Sequence, residues 1–110
     1  MDFSKLFTKS ELIPVVIQDA DTSEVLMLGF TNREALELTV KTRTAWFWSR
    51  SRIKLWNKGE TSGNYLSVEK IIADCDLDSL LYLCKPAGPT CHTGDVSCFH
   101  NNIEEGVLDE

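Results

Sequence analysis

The alternation of apolar and polar positions first becomes regular in "ELIPVVIQD", residues 11–19, which predicts a strand. "ADTSE" reads as a turn and "VLMLGF" as a second strand, so the three segments predict a hairpin. The period then changes. In "TNREALELTVKT", Ala35, Leu36, Leu38 and Val40 give a partly apolar helix ending near Lys41, and Thr31 with Glu34 three residues later matches a capping box. "TAWFWS" alternates again, with Trp46 and Trp48 on one face and Phe47 on the other. "NKGETSGN" is loop, "YLSVEKIIADCD" predicts a long strand, and "SLLYLC" a short buried strand or helical turn. "KPAGPTCHTGDVSCFHNN" is irregular, broken by Pro86, Gly88, Pro89 and Gly94, and the acidic "IEEGVLDE" predicts a disordered tail. The sum is an α+β fold, a mainly antiparallel β-sheet with one principal helix.

Composition adds limits. A chain of 110 residues is one domain, spanning 1–110, with a modest core, so pairing with a second copy is expected to add buried surface. A net charge of −6 argues against a nucleic-acid partner, whose footprint is normally basic. Against that acidic background "RSRIKLWNK" carries Arg50, Arg52, Lys54 and Lys58 and no acid, which points to an anionic small molecule or, more simply, a solvated strand face. The start has no basic leader before an apolar stretch, and no apolar run approaches membrane-spanning length. The expectation is a cytoplasmic protein with no membrane contact, whose four cysteines stay reduced and serve metal binding or catalysis.

All four cysteines fall in "DCDLDSLLYLCKPAGPTCHTGDVSCF", residues 74–99. If "IIADCDLD" is extended, Asp74, Asp76 and Asp78 project to one side and Cys75 to the other. Three carboxylates on one face suit Mg²⁺, or Ca²⁺ with further ligands; the plainer reading is a turn whose aspartates face water and cap backbone amides. An EF-hand is excluded, because Ser79 and Lys85 stand where glycine and glutamate are required. Cys75, Cys91 and Cys98, sixteen and then seven positions apart, lack the paired spacing of a zinc ribbon. Three thiolates with an open fourth position fit a catalytic zinc, whereas Cys84 as a fourth ligand would close the site. The continuously apolar "LLYLC" favours Cys84 as core instead. His92, beside Cys91, is a candidate acid or base. Ligands facing opposite ways are awkward within one subunit, and a dimer in which the cysteines of one chain meet its neighbour resolves this.

A second constellation is "SRSRIKLWNKGETSGN", residues 49–64. Arg50 and Arg52 are expected to alternate onto one strand face, where two guanidinium forks hold phosphate bidentately. Lys58, Gly59, Thr61 and Ser62 add donors, without the order of a Walker A loop. Trp56 can pack on a base, or serve equally well as a core or edge tryptophan.

Together "SRSRIKLWNKGETSGN", "IIADCDLDSLL" and "GPTCHTGDVSCF", in that order and preceded by "VIQDADTSEVLMLGFTNREAL", resemble the phosphoribosyl-AMP cyclohydrolase family of histidine biosynthesis over nearly the whole chain. The resemblance implies hydrolytic opening of the adenine ring of N1-(5-phosphoribosyl)-AMP at the N1–C6 bond by zinc-activated water. It also implies a homodimer with zinc shared between subunits. Carried over by motif, Cys75, Cys91 and Cys98 would bind zinc, Asp74, Asp76 and Asp78 magnesium, and His92 would transfer the proton. Arg50, Arg52, Lys58, Glu60, Thr61 and Ser62 would hold the substrate. Cys84 lies outside the family's ligand pattern, and Thr90 stands where alanine is expected more often. A chain that stops soon after "SCF" is expected to lack the pyrophosphohydrolase domain fused to some relatives. Two other readings compete: a non-catalytic, zinc-stabilised module that binds a nucleotide phosphate, and a purine or pterin deaminase, which would release ammonia.

Overall fold

The fold is given by a computed structural model, which describes residues 1–109. The expected hairpin is present: β1 (Ile13–Asp19) pairs antiparallel with β2 (Val25–Thr31). Asp19 closes its turn by accepting the N–H groups of Asp21 and Thr22 on Oδ1 at 2.8 and 3.2 Å. Across the bulge at Ile17/Gln18, Leu26 is the extra residue, which lets the consecutive Leu26 and Met27 both enter the core.

Helix α1 (Arg33–Thr42) starts one residue later than the Thr31–Glu34 capping box predicts. Asn32 is the cap, its Oδ1 accepting the Ala35 N–H at 2.8 Å. Thr31 instead ends β2, fully buried, with its hydroxyl donating to the Asn32 carbonyl. The helix stops at Arg43, which takes a left-handed φ of 59° and donates its N–H to the Thr39 carbonyl. Buried Thr39 joins helix to sheet: its hydroxyl donates to the Ala35 carbonyl and accepts the Trp46 N–H at 3.0 Å.

Strands β3 (Trp46–Ser49) and β4 (Lys54–Asn57) form a separate two-stranded sheet. Phe47 points inward and is 1% exposed, while Trp46 and Trp48 are half-buried, as the alternation predicts. Arg50 and Arg52 do not share a strand face, because residues 50–53 are the turn of this hairpin. The last strands are β5 (Leu66–Ala73) and β6 (Leu80–Pro86). β5 ends at Ala73, short of the aspartates that were expected to extend it.

The main sheet runs β2-β1-β6-β5, antiparallel apart from the β1–β6 pair. Ile13, Val15, Ile17, Leu66, Val68, Leu80, Tyr82 and Cys84 line its inner face and pack with Leu36 of α1 and Phe47 of β3. Each large aliphatic side chain removed from water there stabilises by about 1.5–3 kcal/mol before chain entropy is counted. The outer face carries a transverse apolar row, Leu28–Val16–Leu81–Ile72, one residue from each strand, with Leu28 and Ile72 exposed. Short segments cover part of each sheet edge. Residues 43–45 bond the start of β5, and the Cys98 N–H donates to the Leu26 carbonyl of β2 at 2.8 Å.

The acidic tail, for which disorder is expected, carries one short element. Residues Ile103–Glu105 form one 3-10 turn, with Asn102 Oδ1 accepting the Glu104 N–H. A second such turn, Ser4–Phe7, lays Phe3, Leu6 and Phe7 against the core. Among the described residues no helix is long and apolar enough to cross a membrane.

Candidate active site

Asp74, Asp76 and Asp78 do converge, with one carboxylate oxygen from each lying within 4.8 Å of the others. A turn brings them together rather than strand alternation. Asp74 Oδ1 accepts the N–H groups of Asp78 and Ser79 at 3.0 and 3.1 Å, and Leu77 takes a positive φ of 57° to close the loop. The donors on Asp74, Ser79 first, hold its carboxyl well below the usual range. Asp76 is pushed up by its two carboxylate neighbours, Asp74 first. The cation such a cluster calls for comes from a residue the sequence did not single out. Lys9 Nζ lies 3.3 Å from Asp78 and 3.6 Å from Asp76. Clustered hard oxygens fit a divalent cation of the magnesium type.

The other cysteines sit on the loop after β6. Cys91 is nearly buried at a tight reversal, where the Cys91 N–H donates to the Asp95 carbonyl and the Gly94 N–H returns to the Cys91 carbonyl. Hydrogen bonds from Thr93, then from His100, lower the Cys91 thiol to about 6, so it ionises readily at neutral pH. Cys98 is pushed up by burial and by Cys91 beside it. A ready thiolate next to a second thiol is soft donor chemistry that fits zinc.

Cys75 does not join this pair. It is exposed on the acidic turn, and among the described residues no three ligand side chains gather around the thiols. Cys84 is fully buried in the hydrophobic core, its thiol pushed up to about 12 by burial and then by Glu69 and Asp19. His100 was missed by sequence reasoning, although its Nε2 lies 3.6 Å from Cys91 Sγ and 3.5 Å from Asp95. Its place in "SCFHNN", after the last cysteine, was the available signal.

A cavity of about 400 Å³ unites the two constellations read from the sequence. Lys58, Thr61 and Ser62 line it together with Cys91 and His92, and Trp56 forms part of its wall. The loop 58–64 is shaped by Gly59, where φ is +101° and an added Cβ would lie 2.6 Å from the Tyr65 backbone, so no side chain fits. Asn64 ties this loop to the thiol loop by donating from Nδ2 to the Pro89 carbonyl at 3.3 Å. Glu60 shares the loop and is exposed, but does not line the cavity. Thr90 Oγ1, buried at the cavity wall, has no hydrogen-bond partner among the described residues. Arg50 and Arg52 line a separate cavity of about 660 Å³ that also touches Trp56.

The sequence matches the family model "Phosphoribosyl-AMP cyclohydrolase" over residues 27–100. A protein of Cenarchaeum symbiosum bearing that name is 55% identical over 103 residues, covering 94% of this chain and 93% of its own length. Its counterpart from Nitrosopumilus maritimus is 54% identical over 104 residues, 94% of each. The histidine biosynthesis bifunctional protein HisIE of Thermus thermophilus is 52% identical over 110 residues, which are 99% of this chain and 51% of that protein. With the matched span running from β2 through the acidic turn and the whole thiol loop, the chain belongs to the phosphoribosyl-AMP cyclohydrolase family.

Proposed function

We propose that this chain hydrolyses the N1–C6 bond of the adenine ring of phosphoribosyl-AMP, a step of histidine biosynthesis, as a homodimer dependent on zinc and magnesium. The observation that carries this is the cavity lined by His92 and Cys91 together with Lys58, Thr61 and Ser62. A proton-transfer group and a soft metal ligand thus share one space with phosphate donors. Cys91 and Cys98 would hold zinc together with Cys75 of a second copy, and Asp74, Asp76 and Asp78 would hold magnesium. Bound there, zinc supplies Lewis acidity at neutral pH and magnesium supplies charge for the phosphates. His92 is exposed to the cavity and hands a proton to the departing N1. Lys58 and the hydroxyls of Thr61 and Ser62 hold a phosphate and so fix the ring against His92.

Two observations favour the dimer. The apolar row Leu28–Val16–Leu81–Ile72 is uncovered on the outer sheet face, and Cys75 is stranded on the acidic turn away from the other thiols. The competing closed four-thiolate module needs Cys84 as a ligand, and Cys84 is enclosed by the core.

An ultraviolet assay with phosphoribosyl-AMP and Mg²⁺, before and after chelation, tests the reading. Ring opening that stops on chelation and returns with zinc is expected. No spectral change from folded, zinc-loaded protein would overturn it, and released ammonia would move the assignment to a deaminase.

A further inference from the structure

Trp56 stands between two cationic compartments. On one side is the cavity that holds His92, with Lys58 Nζ 5.5 Å from the indole centroid. The other, about 660 Å³, is bounded by Gly29, Phe30, Trp48, Arg50, Arg52 and Trp56 and contains no cysteine, histidine or carboxylate. Its cations are held by aromatic faces. Arg50 Cζ lies 3.8 Å from the Phe30 ring centroid, and Arg52 Cζ lies 5.5 Å from Trp56. Among the described residues neither arginine meets a carboxylate within ion-pair distance. A guanidinium stacked by its face keeps its edge donors free, and that edge is what grips phosphate bidentately. Arg52 is further steadied by Ser49, whose Oγ accepts its backbone N–H at 3.3 Å and its Nε–H at 3.5 Å, so the Nη donors are the ones left for phosphate.

We propose that this second cavity is the subsite for the N9 phosphoribosyl arm, the nucleoside-monophosphate half of the substrate, while the His92 cavity takes the N1 arm. The proposal rests on the ring-opening reading and divides its substrate between the two compartments. N1 belongs to the bond that breaks, so its arm stays beside His92, where Lys58, Thr61 and Ser62 supply donors. N9 lies at the far side of the fused ring and carries its phosphate away from the reacting atoms. Among the described residues, Arg50 and Arg52 build a second cationic compartment that also borders Trp56. The indole offers the purine a stacking surface between the two.

AMP has the ring and the N9 arm but no N1 arm, so it separates the subsites. Its affinity is measured by tryptophan fluorescence on zinc-loaded protein and by inhibition of ring opening, in wild type, Arg52→Ala, Arg52→Lys and Lys58→Ala. Loss of one charged phosphate contact corresponds to roughly tenfold or more in affinity. The expected pattern is therefore AMP binding weakened about tenfold by Arg52→Ala, less by Arg52→Lys, and under about twofold by Lys58→Ala. The KM for phosphoribosyl-AMP should rise in both alanine variants, with kcat in Arg52→Ala little changed. Equal weakening of AMP by the two alanine variants, the reverse order, or no AMP binding to wild type would overturn the division. Because AMP binding is read without turnover, a wild-type protein that binds AMP with this pattern yet opens no ring would refute the reaction and leave the subsite standing.

Discussion

Gly29→Ala probes the wall shared by core and site. Gly29 lies within β2 with no positive φ, so alanine there costs nothing in backbone conformation. The smaller entropy of the unfolded alanine chain alone would stabilise by about 0.4–1 kcal/mol. Sterics oppose this. A Cβ at that position would lie 2.6 Å from Phe47 Cδ1 and 2.9 Å from Cε1, about an ångström inside the usual carbon–carbon optimum. Phe47 has little room to retreat: it is 1% exposed, and the Trp56 ring stands 5.7 Å away between centroids. Overpacking of this kind costs about 1–3 kcal/mol, which exceeds the entropic gain and leaves a net loss of roughly 1–2 kcal/mol. For a domain of this size that lowers Tm by about 4–15 °C. Urea unfolding should show a lower midpoint with an unchanged slope, since the change does not alter how much surface unfolds. Gly63→Ala is the comparison, because nothing lies within 4 Å of its added Cβ and only its φ of +81° opposes alanine. Its site should keep normal core packing. A Gly29→Ala protein as stable as wild type, or more stable, would refute the packing argument. Displacement of Phe47 toward Trp56 should also raise KM more than it lowers kcat.

Three further outcomes are expected. His92→Ala should retain zinc while turnover falls roughly two to four orders of magnitude, the usual worth of a general acid or base; a near-normal rate removes His92 from the mechanism. Mg²⁺ should raise the Tm of wild type and do so far less in Asp76→Asn, with zinc content by metal analysis the same in both; equal Mg²⁺ shifts would place that ion elsewhere. Cys84→Ala should lose about 1 kcal/mol of stability from reduced core burial and keep its zinc stoichiometry, whereas loss of zinc would restore the closed four-thiolate module.

The hairpin and the opposite faces of Phe47 and the two tryptophans were legible because each depends on local alternation, and the buried Cys84 because "LLYLC" is continuously apolar. The helix start was misplaced by one residue because Thr31 and Asn32 are both good caps, and tertiary packing drew Thr31 into the core. In "IIADCDLD" a strand and a closed turn both place alternate carboxylates together, so the cluster was legible while the choice between the two was not, and the structure takes the turn whose aspartate caps backbone amides. The deciding bonds run from the N–H groups of Asp78 and Ser79 to one side-chain oxygen, which periodicity does not register. Arg50 and Arg52 were misread for a similar reason, since "SRSRI" alternates through what proves to be a hairpin turn. Lys9 and the β1–β6 parallel pair depend on folding of the chain as a whole and leave no local pattern, and the contact of His100 with Cys91 leaves only the place of that histidine after the last cysteine.

The anchoring of the thiol loop to β2 bears on the order of events as the chain folds. The Cys98 N–H reaches the Leu26 carbonyl, and Ser97 Oγ donates to the Val25 carbonyl at 2.7 Å, across 72 positions of sequence. Closing so large a loop is entropically costly, and such long-range contacts slow folding relative to local ones. The β1–β2 hairpin is local and can form early, but it offers those carbonyls to a segment that arrives only after β5 and β6 have been laid down. Cys91 and Cys98 therefore take their positions in one of the late closures. A partly folded chain carries unconstrained thiols, and the competence to bind metal there is acquired together with the completed sheet.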